Sequence, residues 1–562
     1  KDLRNKHIII LCINLLICQF LSSQSVVNSV HNLSASGPGS IRALSEQEVC
    51  VFCHTPHSAR PNSPLWNKND PGVFYNLYTS SSNQSVPNQP TGSSLLCLSC
   101  HDGTIALGSV LNRATDIDFS GGTTMMPPGS SVLSTDLSDD HPVSFAFNSA
   151  LAANDGQLID PALITAPVSF ENGKLECTSC HDPHRNIYSN FLLVSNQFSE
   201  LCYKCHDRNY WPSSSHNTSS SVWNGSGNDP WFHSDYNTVA ENACENCHNP
   251  HSAEGKQGLL NYLAEESNCL VCHNSNVANT NIETQLSKPY LHNVYGYNLS
   301  HLPTEDPLVT TMHVECIDCH NPHAANNTAA SAPAIPGSLY GSKGVNLMGG
   351  ELLQAVYEYE VCFRCHADSP GKPGSSSTRL IEQNNTRLEF DPANPSYHPV
   401  AAPGQNSDSP SLIAPYSESS LIYCSDCHSS DGAGSPAGPH GSNWPHILKL
   451  RYETTDYTEE SVEAYALCYS CHSRSSILND ESFGYHYLHI VERDSPCNAC
   501  HDPHGISVSQ GTTTNNTHLI NFNTSIVSAG GGGAIRFVDT GTHSGYCMLR
   551  CHTRGHGPGM SY

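Results

Sequence analysis

Twelve cysteine pairs, each followed directly by a histidine, are the residues of this chain whose types and spacing can do chemistry. Eleven have the spacing C-x-x-C-H; in chain order these are Cys50/Cys53/His54, Cys97/Cys100/His101, Cys177/Cys180/His181, Cys202/Cys205/His206, Cys244/Cys247/His248, Cys269/Cys272/His273, Cys316/Cys319/His320, Cys362/Cys365/His366, Cys424/Cys427/His428, Cys468/Cys471/His472 and Cys497/Cys500/His501. The twelfth, Cys547/Cys551/His552, has one more residue between its cysteines. We number these motifs 1–12.

This spacing is the attachment signal of c-type haem, because two thiols add across the two vinyl groups of the porphyrin and the adjacent histidine becomes an axial ligand of the iron. The sequence therefore predicts haem c, in twelve covalent copies, as the cofactor. Disulfides, redox dithiols and half zinc sites are the alternatives, but tetrahedral zinc does not require a histidine directly after the second cysteine of every pair. For motif 12 a disulfide or an unmodified thiol pair stays open.

Five motifs continue into x-Pro-His, and the added histidines are His57, His184, His251, His323 and His504. Two imidazoles on opposite sides of one iron place their Cα atoms about 13 Å apart, whereas three residues extend at most about 10–11 Å. The added histidine therefore cannot face the iron of its own motif. As a ligand it would bind a neighbouring haem; a surface histidine in a proline turn is the alternative.

Enough further histidines are present to supply every iron with a second imidazole. Besides the five above, we predict as distal ligands His31, His141, His216, His292, His398, His440 and His489. Held in reserve are His233, His301, His313, His446, His486, His518, His543 and His556. Met548 and Met560 are near a motif and could give a His/Met site of higher potential.

The polypeptide that must position these groups is poor in core-forming residues. Of 562 residues, 37% are hydrophobic and 14% charged, and periodicity is weak. We expect a mostly coil fold with short α-helices at the motifs and little sheet, an extended chain wrapped around a stack of covalently bound haems. The motifs recur as doublets, which predicts six two-haem modules, at 26–110, 111–210, 211–280, 281–370, 371–480 and 481–562.

Residues 1–25 have the pattern of a secretory signal peptide, with basic residues before an apolar run that is too short for a bilayer span. Export agrees with haem c attachment outside the cytoplasm. The chain has 25 basic and 51 acidic residues, a net charge of −26, which argues against nucleic acid as a partner.

At these residues the chain resembles the multihaem cytochromes c built from doubled C-x-x-C-H units, found among bacteria that respire extracellular metals. The phrases EVCVFCHTPHSA, DHPVSF, LECTSCHDPH, NACENCHNPHSA, VECIDCHNPH and CNACHDPHG carry the resemblance. It implies low-potential bis-histidine haems at close spacing and electron traffic between periplasm and exterior. Motif 9 departs from the pattern, since its Pro-His comes only after an insertion, at Pro439-His440, and motif 12 is stretched.

These features predict an electron-transfer protein, with no catalytic residue, rather than an enzyme. The expected setting is the extracellular space or the outer-membrane surface, with the periplasm as the alternative. Expected partners are other cytochromes or redox proteins, a porin or identical subunits in a filament, and extracellular acceptors such as ferric iron. A multihaem reductase with one five-coordinate haem, and a periplasmic carrier or storage protein, are the competing hypotheses.

Overall fold

The computed structural model describes residues 26–60, 63, 65–297, 306, 313–372 and 374–561. The predicted signal peptide at 1–25 lies outside these residues. Most of the described chain is coil, turn and bend, with short helices and small sheets. The predicted secondary-structure class is therefore confirmed. Among the described residues, every helix is too short or too polar to cross a bilayer.

The α-helices are mostly single turns. In chain order they are α1 Gly92–His101, α2 Ser149–Asp155, α3 Ser215–Thr218, α4 Val239–Asn242, α5 Glu265–Leu270, α6 Cys316–Cys319, α7 Glu358–His366, α8 Thr386–Glu389, α9 Cys424–Cys427, α10 Ala466–Tyr469, α11 Arg474–Leu478 and α12 His486–Ile490. The longest two, α1 and α7, each end on the histidine of a motif. Helices this short are marginal alone, so tertiary contacts must hold them.

Short 3-10 helices carry several of the remaining motifs and connections. They are Val26–Asn28, Val49–Phe52, Ser120–Gly122, Pro161–Leu163, Cys177–Ser179, Ser189–Phe191, Gln197–Ser199, Cys202–Lys204, Trp211–Ser213, Ala243–Asn246, Val294–Gly296, Gly337–Leu339, Pro445–Ile447, Cys497–Ala499 and Thr517–Leu519.

The strands form two-residue pairs and one larger sheet near the C-terminus. They are β1 Asn76–Leu77, β2 Asp136–Leu137, β3 Phe145–Ala146, β4 Lys174–Leu175, β5 Tyr290–Leu291, β6 Gly344–Val345, β7 Glu351–Leu352, β8 Ser396–Tyr397, β9 Gly441–Ser442, β10 Gly505–Ile506, β11 Val527–Ser528, β12 Arg536–Gly541, β13 Ser544–Cys551 and β14 Arg554–His556. The pair β1–β2 is parallel, and β3–β4, β5–β9, β6–β7 and β8–β10 are antiparallel. In the C-terminal sheet β13 pairs antiparallel with β11, β12 and β14.

Hydrophobic side chains collect in several small clusters, and motif cysteines pack at the edges of many of them. Phe52, Leu107 and Phe119 are buried together next to Cys53 and Cys100. Phe522, Val527, Phe537 and Leu549 form a second such cluster beside Cys500, Cys547 and Cys551. The apolar surface is thus gathered where cofactors would attach, which explains how so polar a chain can be ordered.

The chain divides into two compact units. The first comprises the described residues up to Asn209 together with Asn217–Val222 and Asp229–Asn268, and it contains motifs 1–5. The second comprises Tyr210–His216, Trp223–Asn228 and the residues from Cys269 onward, and it contains motifs 6–12. The six-module division stays a prediction.

Candidate haem sites

In the regular motifs one tight turn presents both cysteines and the histidine. The histidine amide donates to the carbonyl of the first cysteine at 2.8–3.0 Å in motifs 1, 3, 4, 5, 6, 7, 9, 10 and 11. In motifs 2 and 8 the same residues end α1 and α7. Residues three and four apart on a helical turn share a face, so two thiols and one imidazole point to the same side.

A carbonyl from a returning loop then fixes the ring of the motif histidine. The Nδ1–H groups of His101, His181, His248, His320, His428 and His501 donate to the carbonyls of Ser131, Asn190, Gly258, Ser338, His446 and His518 at 2.7–2.9 Å. A donor bond from Nδ1 fixes the tautomer and leaves Nε2 with its lone pair, as in metal-ligating histidines. These rings are therefore preset to ligate through Nε2.

The returning loops share an unusual backbone conformation that sequence reasoning missed. Four of the carbonyls belong to residues in the left-handed region, Asn190, Gly258, His446 and His518, and the next residue of each also has positive φ. The residue after these two forms a β-bridge with the motif histidine in each loop. These loops share similar four-residue sequences, NFLL, GLLN, HILK and HLIN, which begin at Asn190, Gly258, His446 and His518. This similarity is the sequence signal that could have located the loops.

Each of nine motif histidines faces a second imidazole at nearly constant distance. In the first unit the ring centroids are 6.0–6.3 Å apart for His54–His184, His101–His31, His181–His251 and His206–His141. In the second unit they are 6.1–6.4 Å apart for His273–His216, His320–His440, His366–His292, His428–His504 and His501–His486. For motif 10, His398 lies close enough to lower the pKa of His472.

This spacing fits an iron held between two rings. A metal–nitrogen bond is about 2 Å and Nε2 lies about 1.1 Å from its ring centroid, so two axial imidazoles have centroids about 6 Å apart. Interplanar angles range from 3° to 83°, so ring stacking does not cause the pairing. In the described residues no group of three or more His, Cys, Asp or Glu side chains is arranged for a bare metal ion. Pairs of imidazoles leave the other four coordination positions to a porphyrin.

Burial keeps most of these imidazoles neutral. It lowers the pKa of His206 and His486 to about 3, and with neighbouring histidines it lowers the pKa of His273 and His366 to about 4. The neutral imidazole is the form that ligates a metal. His504 differs: although burial disfavours its charge, the Glu389 carboxylate raises its pKa to about 9.

The Pro-His units join neighbouring sites in a regular order. The histidine that follows motif n+2 faces the histidine of motif n, as in His184 with His54 and His504 with His428. In three of these units the carbonyl of the preceding proline accepts from the second imidazole of motif n+1, whereas the Pro250 carbonyl accepts from the backbone amide of His141 at 2.8 Å. Pro183 accepts from His31 at 3.3 Å and Pro322 from His216 at 2.9 Å, and Pro503 accepts from His398.

The motif 9 insertion keeps the same order. His440 faces His320 of motif 7, and the Pro439 carbonyl is a hydrogen-bond partner of His292, which faces His366 of motif 8. The insertion therefore lengthens the loop between motif and Pro-His without changing which sites the two residues serve.

Cysteines of consecutive motifs lie beside each other. The first cysteines of motifs 2 and 3, 4 and 5, 8 and 9, and 10 and 11 are hydrogen-bond partners, Cys97–Cys177, Cys202–Cys244, Cys362–Cys424 and Cys468–Cys497. The second cysteines of motifs 1 and 2, of motifs 3 and 4, and of motifs 9 and 10 are also close, since Cys100, Cys205 and Cys471 raise the pKa of Cys53, Cys180 and Cys427. In the same way, cysteines of motif 8 raise the pKa of Cys319, and cysteines of motif 12 raise the pKa of Cys500. Attachment points of successive motifs are thus adjacent along motifs 1–5 and along motifs 7–12.

Two of the predicted attachment cysteines have neighbours that the sequence did not indicate. Cys365, the second cysteine of motif 8, lies within α7 and is near enough to Cys319 of motif 7 to raise its pKa. Cys471, the second cysteine of motif 10, is a hydrogen-bond partner of the Tyr416 hydroxyl, and its Sγ lies 3.6 Å from the Ser470 hydroxyl. Both cysteines are half-buried. Their haem attachment stays a prediction, and at Cys471 a thioether would have to replace these hydroxyl contacts.

Cys272, the second cysteine of motif 6, is followed by a different connection from that of the motifs with a Pro-His unit. Its amide donates to the Cys269 carbonyl at 3.2 Å, as in the other regular turns, and its own carbonyl accepts from the amides of Val277 and Ala278 at 3.3 and 3.0 Å. The chain therefore turns back within six residues of Cys272, where sequence reasoning expected only coil. Cys272 is half-buried, and its haem attachment also stays a prediction.

Two buried cations stand close to motif cysteines. The Lys68 ammonium is 1% exposed and donates to the carbonyls of Ala106, Leu107 and Ser109 at 3.0–3.2 Å. Burial raises the pKa of Cys53 to about 12 and also raises that of Cys100, and the charge of Lys68 opposes this rise at both thiols. Arg379 is also buried, donates to the carbonyls of Asn498 and Asn521, and lies 3.8 Å from Asp502 beside motif 11.

The other candidate ligands have different surroundings, and their ligation stays a prediction. His57 is exposed and, within the described part of the chain, faces no second imidazole ring. His323 packs at the edge of Trp211, with ring centroids 5.9 Å apart. Met560 is exposed, and the Met548 sulfur contacts Arg536. His489 faces His556.

Two segments of the chain match the family model of the doubled CXXCH motif, at residues 169–209 and 237–278. The first contains motifs 3 and 4 and the second contains motifs 5 and 6. A search among curated proteins found no similar sequence. In the first matched segment the second cysteines of motifs 3 and 4 are neighbours, and His181 and His206 each face a second imidazole.

Proposed function

We infer that this chain, which carries the doubled CXXCH motif of the multihaem c-type cytochromes, conducts electrons along twelve covalently attached haems outside the cytoplasm. Haem c supplies one-electron iron chemistry when bound. The observation that carries the proposal is the adjacency of motif cysteines along motifs 1–5 and along motifs 7–12.

The role of the polypeptide in this function is to fix spacing and ligation. Along motifs 1–5 the contacts between consecutive motifs alternate between their second and their first cysteines, so neighbouring cofactors would be attached at adjacent points. Pro-His units tie each pair of sites to the motif that follows. A rigid connection of this kind keeps the distance between redox centres constant, on which transfer between them depends.

The paired imidazoles favour electron transfer over catalysis on a bound substrate. An iron with two axial histidines and four porphyrin nitrogens has no open coordination position. Nine motif histidines already face a second ring. A reductase would need at least one site left open for its substrate.

The acidic charge and the predicted signal peptide support a position at the cell exterior. The net charge is −26, to which haem propionates would add, and an acidic surface attracts ferric species and basic redox partners. We propose an extracellular or outer-membrane-surface location, with other cytochromes, a porin or identical subunits as electron partners. Residues 1–25 would direct the export.

The first test is intact mass and spectroscopy of the secreted protein. Twelve haem masses above the processed polypeptide and a low-spin ferric spectrum are expected. Eleven or fewer haems would refute the count of twelve, and several high-spin haems in the resting protein would refute the conduit. Fractionation of the native host should place the protein outside the inner membrane; a cytoplasmic location would contradict the proposed export.

The second test measures conduction. The protein is bound between a reductant on one side and an electrode on the other, and current is compared with that of a variant in which Cys97 and Cys100 are both serine, so that one haem is missing from the middle of the first unit. Current should fall by at least tenfold while the other haems stay attached. An unchanged current would mean that electrons do not pass through motif 2.

A further inference from the structure

The last motif is built differently from the other eleven. Cys547 and Cys551 lie on β13 instead of a helical turn, because one extra residue puts them four apart, and residues four apart in a strand point to the same face. Leu549, between them, is 4% exposed and belongs to the cluster of Phe522, Val527 and Phe537. This face of β13 therefore looks into the interior.

The histidine that shares this face is His556. In the pairing of β13 with β14, Leu549 is opposite His556, and residues directly opposite in an antiparallel pair project to the same side. His556 is thus on the side of the sheet that carries Cys547 and Cys551. His552 instead begins the two-residue connection between the strands, where both His552 and Thr553 have positive φ.

His556 also has the partner that an axial ligand needs. Its ring centroid is 5.9 Å from that of His489, with the planes 30° apart. This distance is close to the 6.0–6.4 Å that separates the nine pairs of motif and distal histidines. The Nδ1–H of His489 donates to the Tyr485 carbonyl at 2.6 Å, which leaves its Nε2 available, as in the motif histidines that donate from Nδ1.

His552 is occupied by other contacts. Its Nε2, the nitrogen that would bind an iron, lies 2.9 Å from a carboxylate oxygen of Asp456. Its ring stacks on Tyr457 with centroids 4.4 Å apart and planes at 17°. Asp456 therefore contacts the ring nitrogen of this imidazole, and Tyr457 packs against the plane of its ring.

We propose that His556, and not the motif residue His552, is the axial ligand that completes the last haem site together with His489. The site is then C-x-x-x-C-H-x-x-x-H, in which His552 positions the strand connection against the Asp456–Tyr457 segment. The proposal rests on the proposed function in one respect, that Cys547 and Cys551 carry a haem. Helix α12 would supply the second imidazole of the last two sites, His486 for motif 11 and His489 for motif 12.

The test compares His556→Gly with His552→Gly in the full secreted protein, with haem number measured by intact mass. His556→Gly should keep twelve haems and convert one of the twelve from low-spin to high-spin, and added imidazole should restore the low-spin signal. In His552→Gly molecules that carry the last haem, that haem should stay low-spin. His556→Met should give one His/Met haem with a raised potential, because methionine can ligate at the same place.

The outcomes separate this inference from the proposed function. Twelve haems in His556→Gly with no high-spin component would overturn the inference and leave the conduit intact, as would a high-spin haem that appears in His552→Gly alone. Wild-type protein with only eleven haems, and with Cys547 and Cys551 unmodified, would overturn both the inference and the count of twelve. If His552→Gly fails to attach its last haem, His556→Gly and His556→Met still decide the question.

Discussion

The Nδ1–H of His216 donates to the carbonyl of Pro322 at 2.9 Å, one residue before His323. His31 and His398 have the same relationship to Pro183 and Pro503, each followed by a histidine that faces another motif. Proline fixes its own φ and keeps its carbonyl free for an acceptor role. Each of these two-residue units therefore positions an imidazole on either side of itself, and this arrangement repeats along the chain.

We expect His184→Ala to open one site only. His184 faces His54 of motif 1 with ring centroids 6.0 Å apart, and its own motif cysteines do not depend on it. The haem attached at Cys177 and Cys180 should remain, while one other haem turns high-spin. Electron paramagnetic resonance and intact mass measure both effects.

His57→Ala is the matched control for His184→Ala. His57 occupies the same x-Pro-His position after motif 1, but unlike His184 it faces no second imidazole ring in the part of the chain that the structure describes. Its replacement should leave the spin states unchanged in the monomeric protein. A high-spin haem in His57→Ala, or none in His184→Ala, would contradict the order of ligation described here.

Asp140→Asn should raise the potential of one haem. The Nδ1–H of His251 lies 3.1 Å from the Asp140 carboxylate, which is 5% exposed at its side chain, and a carboxylate on Nδ1 makes the imidazole a stronger electron donor to a metal. Loss of that charge should raise the midpoint potential of one haem by about 30–60 mV. For a one-electron couple, about 59 mV corresponds to a tenfold change in the equilibrium constant. Spectroelectrochemical titration measures the shift.

Asp182→Asn provides the comparison for Asp140→Asn. Asp182 lies 3.4 Å from Nδ1 of His184, but its side chain is 28% exposed, so water screens its charge. The change in haem midpoint potential should therefore be clearly smaller in Asp182→Asn than in Asp140→Asn. Equal shifts in both variants would mean that burial of the carboxylate does not matter.

Lys68→Met should lower the potential of the haems of motifs 1 and 2. A buried cation stabilises the reduced iron, because reduced iron carries one positive charge less. Removal of the cation should lower the midpoint potentials by on the order of 100 mV at an effective dielectric constant of about 20. Lys256→Met is the control, because Lys256 pairs with Asp136 at the surface. An unchanged titration curve in Lys68→Met would refute an electrostatic role for Lys68.

Glu176→Ala should destabilise the junction of motifs 2 and 3. The Glu176 carboxylate is 2% exposed and accepts from the hydroxyls of Thr91, Ser94 and Ser144. Its loss leaves buried donors without an acceptor, and we expect the free energy of unfolding to fall by about 3 kcal/mol. Denaturant unfolding should show this, with exposed Glu171→Ala changing it by less than about 1 kcal/mol.

The motif sequence by itself indicates haem c as the cofactor and predicts its attachment cysteines and the motif histidines. It also showed that the added histidine could not serve its own motif, because three residues are too short to pass around an iron. These conclusions need only covalent chemistry and chain length. The mostly coil class likewise followed from a low hydrophobic content without periodicity.

Only the tertiary structure decided which imidazole faces which. His440 faces His320, which lies 120 positions earlier in the sequence. His57 and His184 occupy equivalent positions, yet among the described residues His184 faces another imidazole and His57 does not. His486, a reserve candidate on the sequence alone, faces His501. The physical reason is that a distal ligand is chosen by the path of a distant loop, and local spacing does not encode that path. Local spacing also does not encode the strand register that places His556, rather than His552, on the side of the cysteines, because this register depends on the pairing of β13 with β14.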